Sequence, residues 1–112
     1  MKRGDIYFAD LDPSIGSETK KKRPVLIVSN NANNRVAATI TVIPITSNTT
    51  KIYPFEVLLE AGNTGLQKKS KAQCHQVRTI SKLRIQGNQT GHVNNVIMSR
   101  IEAALKLHLG LP

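Results

Sequence analysis

Short apolar runs alternate with polar stretches over most of the chain, which predicts several strands joined by loops. Residues 24–29 (PVLIVS) and 38–46 (ATITVIPIT) are continuous apolar runs of strand length that are rich in β-branched residues. They predict two buried strands. Pro44 interrupts the second run and therefore predicts an edge position or a bulge. A shorter apolar run at 6–9 ends in a turn-forming Asp-Leu-Asp-Pro stretch.

The remaining patterns before residue 92 are weaker. Residues 53–60 and 70–80 are rich in strand-forming residue types and predict two further strands. Residues 14–22, 30–34 and 86–91 are polar and contain Gly or Asn, which predicts a loop or link at each of them.

The C-terminal segment changes to helical periodicity. Asn94 is a suitable N-cap and Gly110 follows the last expected turn, so the pattern predicts one helix between them. The residues that recur at helical spacing are Ile97, Ile101, Ala104, Leu105 and His108. We expect His108, on this stripe, to be a core or interface residue.

These elements together predict a strongly bent antiparallel sheet or small barrel with a C-terminal helix packed on it. With 112 residues, the chain is expected to form one domain over residues 1–112. Its modest core favours a symmetric dimer. No apolar run approaches the roughly 20 residues of a membrane-spanning helix, and the N-terminus does not resemble a signal peptide. Because a single cysteine cannot form an internal disulfide, the expected compartment is the cytoplasm.

Positive charge dominates the chain beyond its first 18 residues. The whole chain carries a formal charge of +9, and residues 19–101 hold thirteen Lys or Arg side chains against only Glu56 and Glu60. Such an excess favours a polyanionic partner, with nucleic acid the leading candidate, over a basic surface that serves solubility alone. The chain has only two Tyr, two Phe and no Trp, so a platform that stacks many bases is not expected.

Several common catalytic arrangements find little support. Asp10 and Asp12 precede a proline, which favours a turn over a metal site, and no Cys or His pair has zinc spacing. We therefore expect neither a metal nor a cofactor. A ribonuclease mechanism with two histidines is possible but has no supporting motif. Cys74 has no spacing cue to a base and is expected to be a buried, inert thiol.

Arg23 is the strongest candidate for chemistry. It ends a charged loop and begins a rigid strand, and Pro24 biases its backbone toward an extended conformation. A guanidinium held in this way can contact two phosphate oxygens at once, and the lysines at 20–22 would add positive potential. The alternative is a solvated run of charges at a loop tip.

Four ordered blocks of the sequence resemble a known family. The blocks are RGDIYFADLDPSIGSE, the RP that precedes an apolar strand, PIT at 44–46, and SKAQCHQVRTISKLRI. With the final helix and its LGL ending, they are similar to the MazF/PemK/Kid toxins of bacterial toxin–antitoxin systems. The resemblance implies a small SH3-like barrel of the MazF/CcdB type and a homodimer. It also implies a sequence-specific, metal-independent endoribonuclease that cuts single-stranded mRNA, and a cognate antitoxin with an acidic tail.

The resemblance also implies roles for particular residues. The family's catalytic Arg and Thr correspond to Arg23 and Thr46, and its Ser-Glu pair corresponds to Ser17 and Glu18. We assign Arg23 to transition-state stabilisation and proton donation, and Thr46 to a hydrogen bond with a phosphate oxygen. Either Glu18 or His75 would accept the 2′-OH proton. The expected RNA-binding residues are Lys20, Lys21, Lys22, Ser47, Gln76 and Arg78.

Three positions depart from the family pattern. Thr19 and Lys21 stand where the family commonly has Gln and Gly, and His75 stands at a usually acidic position. Losing the glycine is expected to change the loop conformation, and the lysines are expected to change RNA preference.

Two other functions remain as alternatives, because a fold does not dictate function. They are a protein-binding poison that resembles the gyrase-inhibiting relatives of this fold, and a regulator that binds nucleic acid without cleaving it.

Overall fold

The computed structural model describes all 112 residues, Met1–Pro112. Seven strands and two α-helices make up its main elements. In chain order these are β1 (Asp5–Asp10), β2 (Lys22–Ile27), α1 (Asn31–Val36), β3 (Thr39–Thr46), β4 (Glu56–Leu59), β5 (Ser70–Gln73), β6 (Arg78–Ser81), β7 (Ile85–His92) and α2 (Asn95–Leu109). Short 3-10 helices cover Cys74–Gln76 and Lys82–Arg84.

The strands form one antiparallel sheet in the order β4-β5-β3-β2-β1-β7, and β6 also pairs with β3. This confirms the prediction of a mostly β fold with a C-terminal helix. The barrel prediction needs correction, because β4 pairs only with β5 and β7 pairs only with β1. Strand β6 likewise pairs only with β3, so the sheet keeps unpaired strand edges and is not closed into a barrel.

Two apolar clusters cover the two faces of the sheet. The larger one contains Leu26 and Ile43 and extends to Ile101 of α2, whereas the smaller one contains Val25 and Ile27. Successive side chains of a strand point to opposite faces, so β2 contributes to both clusters in turn. Burial on both faces explains the continuous apolar runs of β2 and β3.

Helix α2 begins and ends where the capping residues predict. The Asn94 side chain accepts a hydrogen bond from the Ile97 N–H at 2.9 Å, and Gly110 adopts the left-handed conformation with φ of 69°. Met98, Ile101 and Ala104 form its buried face. His108 is exposed, so of its two expected positions the core is wrong and the interface stays a prediction. No helix in the structure is long and apolar enough to cross a membrane.

Two predicted links form regular elements instead. The Asn-rich link is mostly helix α1, which Asn30 caps by accepting a hydrogen bond from the Asn33 N–H at 2.8 Å. The link predicted at 86–91 lies within strand β7. Neither element presents an apolar stripe, because most of its residues are exposed. Hydrophobic periodicity therefore could not indicate them.

The segment predicted as one strand over 70–80 is divided into β5 and β6 by the 3-10 helix at Cys74–Gln76. This division also accounts for Pro44. Strand β3 is central in the sheet, so Pro44 is not at an edge. Pro44 lies between Val42, which pairs with β6, and Ile45, which pairs with β5. It is therefore opposite the 3-10 helix that separates these two strands. A missing N–H costs little where no regular partner strand is present.

Candidate active site

The register of the sheet brings Arg23 and Thr46 together. Val25 pairs with Pro44, so Arg23 lies opposite Thr46 two residues further along the same antiparallel pair. Both side chains are half-buried. The Arg23 Nη1 donates a hydrogen bond to the Thr46 Oγ1 at 3.4 Å. Residues 23 positions apart in the chain thus form one cationic, hydroxyl-bearing site at the ends of two strands.

The Thr46 hydroxyl has its own hydrogen available. Its oxygen accepts from Arg23 and also from the Asn48 N–H at 3.2 Å. A hydroxyl has two acceptor lone pairs and one donor hydrogen. Because both contacts use acceptor capacity, the hydrogen can be donated to an anionic oxygen placed at the site.

The Arg23 guanidinium is held at one side and open at the other. Its Nε donates to the Lys20 carbonyl oxygen at 2.7 Å, and one Nη1 hydrogen is directed to Thr46. A guanidinium has five donor hydrogens, so the remaining three have no protein partner and can contact a phosphate.

The β1–β2 loop, residues 11–21, is fastened to the 3-10 helix at Cys74–Gln76 and the strand end before it. The Gln76 Oε1 accepts from the Thr19 N–H at 3.3 Å, and its Nε2 donates to the Ser17 carbonyl at 3.3 Å. The Thr19 hydroxyl donates to the Gln73 Oε1 at 2.9 Å. The structure therefore gives Gln76, a predicted RNA contact, a role in holding this loop.

Two arginines fasten the start of the same loop. Arg78 donates from Nη1 to the Leu11 carbonyl at 3.4 Å. Arg84 donates from Nη1 to the carbonyls of Asp10 and Asp12 at 3.1 and 2.6 Å. Arg78 thus lies near the site by contacting its loop, and its RNA-binding role stays a prediction. The sequence carried no signal for Arg84.

The other predicted contact residues of this region are exposed. They are Ser17, Glu18, Lys20, Lys21, Lys22 and Ser47. None of the lysines forms an ion pair, so their charge is free to attract a polyanion. Lys21 has φ of 73°, in the left-handed region that favours glycine. Lys21 thus adopts a glycine-like backbone without being glycine, and the expected effect of the lysines on RNA preference stays a prediction.

His75 lies in a different environment. Its ring packs on Phe55 at 4.5 Å between centroids and faces His108 at 6.4 Å. Its Nδ1 is buried without a hydrogen-bond partner, and burial lowers the pKa of His75 below its usual value. No hydrogen bond connects it to Arg23 or Thr46. Burial also raises the pKa of the neighbouring Cys74 thiol to about 12, as expected of an inert cysteine.

A buried ion pair lies beside Thr46. Lys71 is directly opposite Thr46 in the β3–β5 pairing, and its Nζ contacts the Glu56 carboxylate at 3.0 Å. The Nζ also donates to the Lys51 carbonyl at 2.7 Å. Lys71 and Glu56 are only 8% and 7% exposed. Sequence reasoning missed this pair, because nothing in the local pattern marks either charge as buried.

A cleft of about 380 Å³ opens at the same strand ends, and Arg23 is one of its lining residues. Lys22 and Pro24, the neighbours of Arg23 in β2, line the cleft as well. The polar and aromatic residues of the lining include Phe8, Lys22, Ser47, Gln67, Lys68 and Thr90, and none of its twelve residues is acidic. Phe8, Gln67, Lys68 and Thr90 were not predicted. Nowhere in the structure do three His, Cys, Asp or Glu side chains converge as a metal site would need.

Comparisons with known proteins agree on one family. A model of PemK-like, MazF-like toxins of type II toxin–antitoxin systems matches residues 2–109. The chain is 46% identical over 116 residues to endoribonuclease MazF9 of Mycobacterium tuberculosis, covering 99% of this chain and 98% of that protein. It is 38% identical over 112 residues to endoribonuclease EndoA of Bacillus subtilis, covering 99% and 96%. A solved mycobacterial endoribonuclease in complex with its cognate antitoxin has a TM-score of 0.81 at 30% identity, covering 100% of this chain and 97% of that one.

Proposed function

The chain belongs to the family of PemK-like, MazF-like toxins of type II toxin–antitoxin systems, and we propose that it is an endoribonuclease that cleaves single-stranded mRNA at specific sequences and so inhibits translation and growth. The observation that carries the proposal is the Arg23–Thr46 pair, which offers free N–H and O–H donors at one place. Exposed lysines at positions 20–22 supply the surrounding positive potential.

The proposed chemistry uses the RNA's own 2′-OH as nucleophile. Its oxygen bonds to the adjacent phosphorus, the bond from phosphorus to the 5′-oxygen breaks, and the products carry a 2′,3′-cyclic phosphate and a 5′-OH. Negative charge grows on the phosphate oxygens during this step. Arg23 and the Thr46 hydroxyl stabilise it as preorganised donors, and Arg23 gives the leaving 5′-oxygen its proton. The counter-charge comes from protein cations, so the reaction needs no metal ion.

Glu18 is the better candidate of the two for accepting the 2′-OH proton. Its carboxylate is exposed, forms no ion pair or hydrogen bond, and belongs to the β1–β2 loop that reaches Arg23. His75 instead packs against Phe55 with its Nδ1 buried. A base needs direct access to the proton it removes.

The proposal also includes a cognate antitoxin, a homodimer and a location in the cytoplasm. A cognate antitoxin with an acidic tail would cover the lysine-rich loop, since opposite charges steer such partners together. A homodimer is supported by the apolar residues that α2 and the following residues leave open, among them Leu107, Leu109 and Leu111, each more than half exposed. The single thiol fits the cytoplasm.

The test is to incubate the purified protein with a long single-stranded RNA, with and without EDTA, and to map the new ends. We expect cleavage at a recurring sequence in both conditions, with 2′,3′-cyclic phosphate and 5′-OH ends. An RNA with a 2′-deoxynucleotide before the cut should bind but stay intact. Loss of cleavage in EDTA, or cleavage of the deoxy substrate, would contradict the proposed chemistry.

A further inference from the structure

We propose that Thr19 and Gln73 form a latch that orients Arg23 through the backbone carbonyl of Lys20, which makes Thr19 a positioning residue for RNA cleavage. The inference rests on the proposed function, because the orientation of Arg23 is detected as a change in the rate of RNA cleavage. It assigns a role to a residue that departs from the family pattern.

Two hydrogen bonds attach Thr19 to the sheet. Its hydroxyl donates to the Gln73 Oε1 at 2.9 Å, and its backbone N–H donates to the Gln76 Oε1 at 3.3 Å. Both acceptors lie 54 or more positions away in sequence, on β5 and the 3-10 helix that follows it. Thr19 is half-buried, whereas the lysines that follow it are exposed. The loop is therefore joined to the sheet at this residue.

The backbone on the other side of Lys20 is attached as well. The Lys21 N–H donates to the Asp12 Oδ1 at 3.1 Å, and its carbonyl accepts from the Leu11 N–H at 3.1 Å. The left-handed backbone of Lys21 completes the turn. The peptide group of Lys20 is thus held between two attached residues, although its own side chain is in solvent.

The Lys20 peptide in turn holds the Arg23 guanidinium. The Lys20 carbonyl accepts from the Arg23 Nε at 2.7 Å, which is shorter than the 3.4 Å contact from Nη1 to Thr46. The closer contact restrains the guanidinium plane more strongly. Breaking the 2.9 Å bond to Gln73 would remove the shorter of the two bonds from Thr19 to this part of the sheet and leave the 3.3 Å contact with Gln76. The Lys20 carbonyl could then shift and change the direction of the three free N–H donors. Misplacement by about 1 Å is enough to slow a positioned reaction.

The matching variants are Thr19→Val, which replaces the hydroxyl by a methyl group, and Gln73→Met, which removes the acceptor. We expect each to lower kcat for RNA cleavage about tenfold with KM changed less than about twofold, because the defect is in orientation rather than binding. Thr19→Ser and Gln73→Glu keep a donor and an acceptor and should restore most of the rate. The Thr19→Val/Gln73→Met double variant should be no slower than either single variant.

A matched control is Thr41→Val. It also removes a threonine hydroxyl from a hydrogen bond, the 2.8 Å pair with Thr79, but lies on a part of β3 that does not contact the loop. Its kcat should stay at the wild-type value. Thr19→Val cleaving as fast as Thr41→Val would overturn the latch, and so would additive losses in the double variant. If the wild-type protein fails to cleave RNA, the proposed function itself fails, so the two failures are distinguishable.

Discussion

Replacing Thr46 by valine tests the hydroxyl at the centre of the site. Valine keeps the β-branched shape that β3 requires and removes only the oxygen and its hydrogen. The Thr46 Oγ1 accepts from Arg23 Nη1 at 3.4 Å and from the Asn48 N–H at 3.2 Å. The substitution therefore removes one phosphate donor and one restraint on Arg23, while the half-buried methyl group fills the same space.

The size of the effect follows from these contacts. Losing one preorganised donor to developing charge costs about 100- to 1,000-fold in kcat, or about 3–4 kcal/mol of transition-state stabilisation. Stability should fall by only about 1 kcal/mol, because both lost bonds are long and one donor, Arg23, stays accessible to water. The Thr46→Val variant should thus lose most of its cleavage rate but little of its free energy of unfolding.

The assay is single-turnover cleavage of a short labelled RNA that contains the mapped cut site, with thermal unfolding measured in parallel. Thr46→Ser keeps the hydroxyl and should retain a rate within about tenfold of wild type. The reasoning would be refuted if Thr46→Val cleaved within threefold of wild type, or if Thr46→Ser were as slow as Thr46→Val at equal stability.

Three further predictions concern stability and are checked by chemical or thermal unfolding. Lys21→Gly should raise the free energy of unfolding by about 1 kcal/mol, because relief of left-handed strain exceeds the added chain entropy; an unchanged value would show that Lys21 is unstrained. Lys71→Met should lower it by about 3–5 kcal/mol, since Glu56 is left buried without its partner, and a Lys71→Met/Glu56→Gln double variant should regain part of the loss. Burial lowers the pKa of His75 below the ordinary value near 6.5, because it disfavours the charged ring. The neutral ring therefore contributes to the free energy of unfolding above pH 6.5, and this contribution is lost as the pH falls toward the lowered pKa. His75→Phe should keep the contact with Phe55 and reduce this loss, and an identical pH profile would contradict the assignment.

The sequence predicted correctly those elements that form because of residues within the same segment, such as an apolar stripe, an apolar run or a capping residue. Helix α2 has an apolar stripe and two capping residues within one segment, and strands β2 and β3 are continuous apolar runs because both of their faces are buried. Strand β7 and helix α1 have mostly exposed residues, so their formation depends on pairing, capping and packing rather than on hydrophobic pattern. The small SH3-like barrel implied by the resemblance was right in its strands and C-terminal helix and wrong only in closure, since the sheet keeps unpaired edges.

The site could be predicted only in part for a similar reason. Arg23 was identified from its place between a charged loop and a strand, and Thr46 came from the resemblance. Their contact depends on the register of β2 with β3, which no local pattern specifies. The Thr19–Gln73 hydrogen bond spans 54 positions, and its partners carry no motif that would identify them. Such long-range contacts emerge only from the folded sheet.

The most direct test of the central claim is the rate of RNA cleavage by Arg23→Ala in EDTA, measured under single-turnover conditions on protein shown by circular dichroism to be folded. We expect a loss of at least about 1,000-fold, since the variant removes the only guanidinium hydrogen-bonded to Thr46, while thermal unfolding stays near wild type. A folded Arg23→Ala protein that cuts the same site within tenfold of the wild-type rate would contradict it.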